Sequence, residues 1–474
     1  MSTPTFEPTG RGPAASLWSD LRASLAGGER EWTRMEPRRA VVLLAVPMML
    51  EMALESVFAV VDIFYVARLG PAAIATVGLT EAMMTILFAV AIGLATATTA
   101  LVARRVGEGD LEGAAETAVQ ALALGLLVSI GIGGGGALAA RPLLAAMGAS
   151  GAVLAVGTSY TTVMLGGCAS VVLLFLGNAV FRGAGDPVVA IRVLWTSNLV
   201  NLVLDPCLIF GLGPFPELGV TGAAVATTIG RTIGVALLVK YLFEGRSRVR
   251  LRPGLLRLRW AVMARLLRVS AGGILQYLAE TGAWLALVRV LALFGEAALA
   301  GYTVAIRIVL FTFLPSWGLS NAAATLVGQN LGAGRPAEAE RSVWLTARYN
   351  IAFLGSVGLA FLAVPGPLVR LFTRDPDVLA VAVECLRWLG ASYGFFAFGL
   401  VAIQAFNGAG DTATPMRLKV VCYWLWQIPV AWLLSVEAGL GPRGVFAAIV
   451  SAEVLLAASS LVLFRRGRWK EKVV

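Results

Sequence analysis

The chain contains no histidine. Proton chemistry near neutral pH therefore falls to carboxylates with raised proton affinity, because the side chain that ordinarily titrates there is missing. Charge is scarce as well. Asp, Glu, Lys and Arg make up 14% of 474 residues and 58% are hydrophobic, whereas soluble domains carry about 25% charged residues. With a mean hydropathy of +0.81, this composition excludes an ordinary soluble domain and points to an all-α polytopic membrane protein. The four cysteines, Cys168, Cys207, Cys385 and Cys422, are scattered through apolar stretches with no CxxC pairing. They read as packing residues rather than a disulfide or thiolate metal site.

The net charge of +10 would suit a nucleic-acid partner, but the basic residues lie between apolar spans and form no separate domain. No nucleic acid is expected; the charge is the usual topogenic bias. Residues 1–38 are rich in Ser, Pro, Gly and Arg and lack the apolar core of a signal peptide. Within them, ASLWSDLRASL reads equally as a short amphipathic helix on the inner leaflet or as a disordered tail.

Apolar segments of about 20 residues or more predict twelve spans. They lie near 41–66, 73–101, 117–140, 154–181, 188–211, 219–243, 266–292, 298–328, 345–365, 378–405, 418–437 and 444–464. The clearest break is EGRSRVRLRPGLLRLRW, 244–260, with six arginines. The expected organisation is a tail (1–39), an N-lobe (40–243), a basic linker (244–265), a C-lobe (266–464) and a second tail (465–474). Assigning the linker to the cytoplasm puts both termini there. Roughly thirty Lys and Arg then lie inside, against about five (Arg68, Arg141, Arg370, Arg374, Arg443) outside. A multi-pass plasma-membrane protein of bacterial inner-membrane type is the expectation.

The two halves repeat at a constant shift of 225 residues. ARRVGEGD sets Gly107 and Gly109 against Gly332 and Gly334 of GQNLGAGR; FRGAGDPVVAIR aligns with FNGAGDTATPMR; Gly70 pairs with Gly295 and Pro142 with Pro367. Six spans per half make the repeat parallel, with a pseudo-two-fold axis along the membrane normal. That is the arrangement of two lobes that rock about a central cavity. The glycine loops read as tight turns rather than phosphate cradles, since no GK[ST] follows. Asp186 and Asp411 are expected to bind turn backbone groups.

Intramembrane acids are functional candidates, because each costs roughly 2.5–3.5 kcal/mol at mid-bilayer depth on insertion scales. EMALESVFAVVDIFY places Glu51, Glu55 and Asp62 on one helix face, within about 40° of Glu51 at 100° per residue. Glu55 is copied as Glu280 and Glu51 becomes Gln276, but Asp62 becomes Leu287. In the fifth span Asn198, Asn201 and Asp205 lie within about 60° of one another and become Tyr423, Trp426 and Val430. Thr227 becomes Ala452. The first half thus holds oxygen ligands that the second lacks. They suit a dehydrated Na⁺, with Asp62, Asn201 and Asp205 as ligands, or a shared proton. Pro47 and Pro206 each remove an intrahelical hydrogen bond and are expected to act as hinges. Phe58, Tyr65, Tyr277 and Trp284 read equally as cavity-lining or lipid-facing.

The duplicated spans, LAVPMMLEMALESVFAVVDIFYVARLG, the RGAGD/NGAGD and GEGD/GQNLGAG pairs, and NLVNLVLDPCLIFGLG before LGVTGAAVAT resemble the multidrug and toxic compound extrusion (MATE) transporters, over residues 40–464. The resemblance implies a two-lobed antiporter, not an enzyme, that expels organic and often cationic compounds against H⁺ or Na⁺ and needs no cofactor. In the DinF-like branch it implies an N-lobe ion site matching Asp62, Asn201, Asp205 and Thr227. In the NorM-like branch it implies a seventh-span glutamate, matched by Glu280, and a tenth-span acid. SYGFFAFGLVAIQAF has no such acid, which favours the DinF-like assignment. The expected partners are a small organic substrate, a coupling cation and the bilayer; a monomer is expected. A flippase for lipid-linked sugars or peptidoglycan precursor is the alternative, for which Arg231, Arg289 and Arg307 within spans would have to serve a pyrophosphate. A membrane acyl- or prenyltransferase lacks any DDxxD or nucleophile elbow to stand on.

Overall fold

The computed structural model describes residues 17–28 and 30–472, apart from the side chains of residues 17, 18, 59, 60, 62 and 63. The described residues form helices and no strand. Twelve helical segments are long and apolar enough to cross a membrane. A short helix α1 (Leu17–Ala26) precedes the first span, α2 (Pro37–Ala67). The next five spans are α3 (Pro71–Glu108), α4 (Leu111–Leu138), the pair α6 (Gly151–Gly166) and α7 (Cys168–Ala184), α8 (Pro187–Phe210) and α9 (Val220–Glu244); the short α5 (Ala140–Ala146) links α4 to α6. The second half repeats this order. It runs α10 (Trp260–Leu291), α11 (Glu296–Gly332), α12 (Pro336–Ala363), a linking α13 (Pro365–Arg370) and α14 (Pro376–Gly408). The chain of α15 (Ala413–Lys419) and α16 (Ile428–Trp432) follows, then α17 (Pro442–Arg465). The eleventh span differs in kind: its turns at Val420–Gln427 and Leu433–Glu437 are π-helical. α2 and α8 run unbroken through Pro47 and Pro206.

Several helices outrun their apolar cores. α4 begins at Leu111 rather than near 117 because Asp110 caps it, accepting from the Gly113 amide at 2.8 Å. α12 starts at Pro336, where proline's missing N–H is harmless. The repeat also fixes backbone conformation. Gly70 and Gly295 precede α3 and α11 with φ of 96° and 92°, a region that side chains disfavour.

The pseudo-two-fold axis is visible in glycine contacts between the halves. A Cβ on Gly107 would lie 2.0 Å from the Gln329 carbonyl oxygen, and one on Gly332 would lie 2.2 Å from that of Arg104. Since 104 and 329 are themselves 225 apart, the two contacts are one contact seen twice. A second pair repeats the device: Gly318 abuts the Met48 carbonyl, while Gly93 meets Gly273 and Ile274. All these residues lie in the halves of α2, α3, α10 and α11 that end on the side of the two termini.

Hydrogen bonds between the lobes gather on that same side. Thr325 donates to the Arg182 carbonyl (3.0 Å) and Gln329 to that of Gly183 (2.9 Å). Both terminal segments cross the boundary. Buried Trp32 donates to the Gly185 carbonyl (3.0 Å), while Arg335 of the second half donates to the Thr33 carbonyl (2.6 Å). Lys472 reaches Asp411 at 3.3 Å, and its carbonyl accepts from Arg104 at 2.5 Å.

Of the two readings of the N-terminal stretch, residues 17–26 take the helical one, and α1 is tied to α2 by an Arg39–Asp20 ion pair of 3.0 Å. One expectation changes. The GAGD aspartates do not bind their own turns alike. Asp186 takes the Ser247 hydroxyl (2.5 Å) and the Arg248 amide (3.1 Å), which pins the basic linker to the first half. Asp411 takes the Thr414 hydroxyl (2.6 Å) and Lys472. The linker is also fixed by Gln120, which bonds the Arg257 carbonyl and the Arg259 amide. A polar residue on α4 thus takes over linker backbone that would otherwise be satisfied by water.

Candidate functional site

A cavity of about 210 Å³ lies between the lobes, above the inter-lobe contacts. Its first-half wall carries every charge: Glu51 and Glu55 from α2, Arg182 from α7 and Arg231 from α9. The second-half wall is neutral, with Trp317 and Asn321 from α11 and Gln404 and Asn407 from α14. Phe175 and Trp317 supply aromatic surface. Phe58, Tyr65, Tyr277 and Trp284 do not line it; Trp284 is exposed, and Tyr65 packs edge-on against Phe210.

Glu51 is 1% exposed and accepts from Arg182 at 2.8 Å, Arg182 itself being 11% exposed. The second oxygen of Glu51 has no partner, nor has the side-chain oxygen of Asn178 nearby on the wall. Glu55, one turn along α2, accepts from Asn198 at 3.3 Å. Arg231 forms no ion pair among the described residues. Facing these, the second half supplies a chain of amides. Gln276 donates to Asn407 (3.1 Å) and to the Thr412 carbonyl (3.0 Å), Asn407 donates to Gln404 (2.8 Å), and Gln404 donates to Asn321.

Three of the expected ion-site residues meet away from the cavity wall, between α8 and α9. Asn201 donates to Asp205 at 3.1 Å and to Thr227 at 3.2 Å, and Asp205 is 1% exposed. The i, i+4 spacing of Asn201 and Asp205 stacks them on one helix face, and Gly230 lets α9 approach that face closely enough to touch Asn201. One turn back on α8, Asn198 joins this face to the cavity through Glu55. Asp62 lies on α2, but its side chain falls outside the described residues.

Glu280 is not in the cavity. It binds Lys419 at 2.5 Å and is 41% exposed. Beside it is an acid outside the expected set: Glu453 of α17, buried, accepting from Tyr423 at 3.0 Å with its second oxygen unpartnered. The signal for Glu453 was the same as for Asp62, an acid inside an apolar span with no acid at the shifted position, Thr228. Arg289 and Arg307 do not line the cavity. Among the described residues no group of three acid or cysteine side chains is placed to hold a metal ion, and all four cysteines are free.

Two repeated six-span lobes enclosing a largely apolar, partly aromatic cavity with a few charged and amide groups define a membrane solute transporter rather than an enzyme. The chain belongs to the MatE family, whose model matches residues 47–207 and 274–433, one copy in each half. It is similar to a probable multidrug resistance protein NorM of Thermotoga maritima, 27% identical over 93% of this chain and 94% of that one. It is also similar to an FAD transporter of Shewanella oneidensis, 27% identical over 86% and 90%. Among solved structures, the outward-facing conformation of a multidrug resistance MATE family transporter superposes with a TM-score of 0.86, at 27% identity over 93% of this chain and 98% of that one.

Proposed function

We propose that this protein is a multidrug efflux antiporter that expels organic, often cationic, compounds in exchange for H⁺ or Na⁺. Its lobes, residues 40–243 and 266–464, rock about the central cavity. The observation that carries the reading is the Asn201–Asp205–Thr227 cluster: built on a buried acid, Asp205, confined to the first lobe and one helical turn from the cavity residue Asn198. Asp62, on the facing helix, completes the ion site. Either ion suits these atoms. Asn201 donates to both oxygens as placed, and a flip of its amide turns an oxygen toward the same point. The DinF-like assignment stands on this set.

Both termini and the linker belong to the cytoplasm of a bacterial-type inner membrane, since Lys and Arg crowd that side. The inter-lobe contacts on that side then make the present state outward-open. Ion binding neutralises Asp62 and Asp205 and bends α2 at Pro47, with Pro206 yielding in α8. The cavity contracts and releases substrate outward. Exchange requires that ion and substrate favour different states, because a ligand indifferent to the two states shifts nothing. The protein works as a monomer. A flippase for lipid-linked pyrophosphates is less well supported: the cavity holds two acids against two arginines, and Arg182 is already taken by Glu51.

The test is ethidium efflux from cells expressing Asp205→Asn or Asp62→Asn at normal membrane levels. Loss of efflux supports the reading; wild-type efflux from both variants overturns it.

A further inference from the structure

The Glu51–Arg182 pair sits where a cationic substrate would bind and where the lobes close. We propose that Arg182 is an internal competitor for Glu51: when the lobes seal on the side of the termini, its guanidinium takes the carboxylate and displaces a cationic substrate from it. This rests on the cation-efflux reading above and names the residue that reads the charge.

Three observations converge. The first is an unmet demand for donors. Glu51 has one oxygen on Arg182 and one with no partner, and the neighbouring Asn178 oxygen is also unpartnered. A buried carboxylate is stable only with a counter-charge and hydrogen bonds, so this end of the cavity suits an ammonium, an amidinium or another N–H-bearing cation.

The second is the placement of Arg182. Its turn is itself the seal. The Arg182 carbonyl accepts from Thr325 and the Gly183 carbonyl from Gln329, both of the other lobe, and the Gly185 carbonyl accepts from Trp32. Glu51 and Arg182 lie in the same lobe, so the inter-lobe bonds act on the Arg182 turn rather than on the pair itself: with the seal made they hold that turn, and the guanidinium, against Glu51, and with the seal broken the turn is free to shift away from α2.

The third comes from the repeat. The shift of 225 turns Glu51 into Gln276 and Arg182 into Asn407, and these are hydrogen-bonded to each other at 3.1 Å. The second lobe therefore packs the same junction with neutral amides. Charge is not what the junction needs in order to fold, and the first lobe alone carries it, on the wall of the cavity.

The remaining charges that line the cavity leave Glu51 the place for exchange. Glu55 is held by the neutral Asn198, and Arg231 lies on α9. An exchange of one cation for another at a single carboxylate sets substrate and lobe closure in competition, so closure lowers the affinity for substrate before the ion completes its release.

Binding of ethidium, a planar monocation, and coumarin, an uncharged planar molecule, to purified protein tests this directly. Arg182→Asn should tighten ethidium by about tenfold or more, equivalent to about 1.4 kcal/mol, while coumarin changes by less than about twofold. Arg182→Lys, which keeps the internal cation, should bind ethidium as the wild type does. Gly107→Val, which props the seal open without touching the cavity, should also tighten ethidium. Adding Glu51→Gln to Arg182→Asn or to Gly107→Val should abolish the gain. The proposal is overturned if neither Arg182→Asn nor Gly107→Val tightens ethidium, or if coumarin shifts equally. A wild type that binds ethidium by this pattern but does not export it would count against the efflux reading alone.

Discussion

Glu51 accepts a hydrogen bond from Arg182 at 2.8 Å, and 225 residues later Gln276 and Asn407 make the same contact without charge. One junction has been built twice from different chemistry, so its charged form can be changed while its shape is kept. Arg182→Ala strands a buried carboxylate and should destabilise the protein by about 3–5 kcal/mol, the usual range for breaking one side of a buried pair. Glu51→Gln/Arg182→Asn, which rebuilds the neutral pair, should recover most of that loss. Thermal unfolding of the purified variants checks both outcomes.

The glycine contacts of the seal are symmetric, and so should be their failure. Gly107 lies on the Gln329 carbonyl and Gly332 on the Arg104 carbonyl, with no space for a Cβ at either. Gly107→Val and Gly332→Val, far apart in sequence, should shift the protein alike toward a state open on the side of the termini. In a background with the native cysteines replaced, labelling of a cysteine at Ala324 by a reagent supplied from that side should rise in both. A rise in one variant and none in the other would break the two-fold account.

The proposed ion site predicts a graded series. Asp205→Asn should abolish coupled efflux, because it removes a buried acid that Asn201 already engages. Thr227→Val removes one hydroxyl of roughly equal volume and should weaken ion dependence without abolishing transport. The concentration of H⁺ or Na⁺ giving half-maximal efflux is the readout, and it should move for Thr227→Val while the maximal rate moves less.

Glu453 supplies the control. It is a buried acid in the other lobe, joined to Tyr423 at 3.0 Å. If coupling belongs to the first lobe, Glu453→Gln should keep gradient-driven efflux within about twofold of the wild type, since the amide oxygen still accepts from Tyr423. Loss of coupling in this variant would move the ion site to the second lobe.

The twelve spans and the parallel repeat were legible because each rests on a signal that needs no tertiary partner: apolar length for the spans, and glycine spacing for the repeat. The Asn201–Asp205–Thr227 grouping was legible for a similar reason, since helical spacing sets the first two on one face and the repeat marks all three as unmatched. Other features depend on how helices meet. The Glu51–Arg182 pair joins residues 131 apart, and Asp186 reaches across to the linker. No local pattern foretells either. Which aromatics face the cavity was open for the same reason: Phe175 and Trp317 line it, on helices whose rotation only packing decides.

The central claim is that an ion held in the first lobe by Asp62 and Asp205 drives export. Ethidium transport in proteoliposomes, with pH and Na⁺ gradients imposed separately, tests it most directly. The account predicts that the wild type responds to at least one gradient and that Asp62→Asn responds to neither, while still binding ethidium. Gradient-driven transport by Asp62→Asn at the wild-type rate would contradict it.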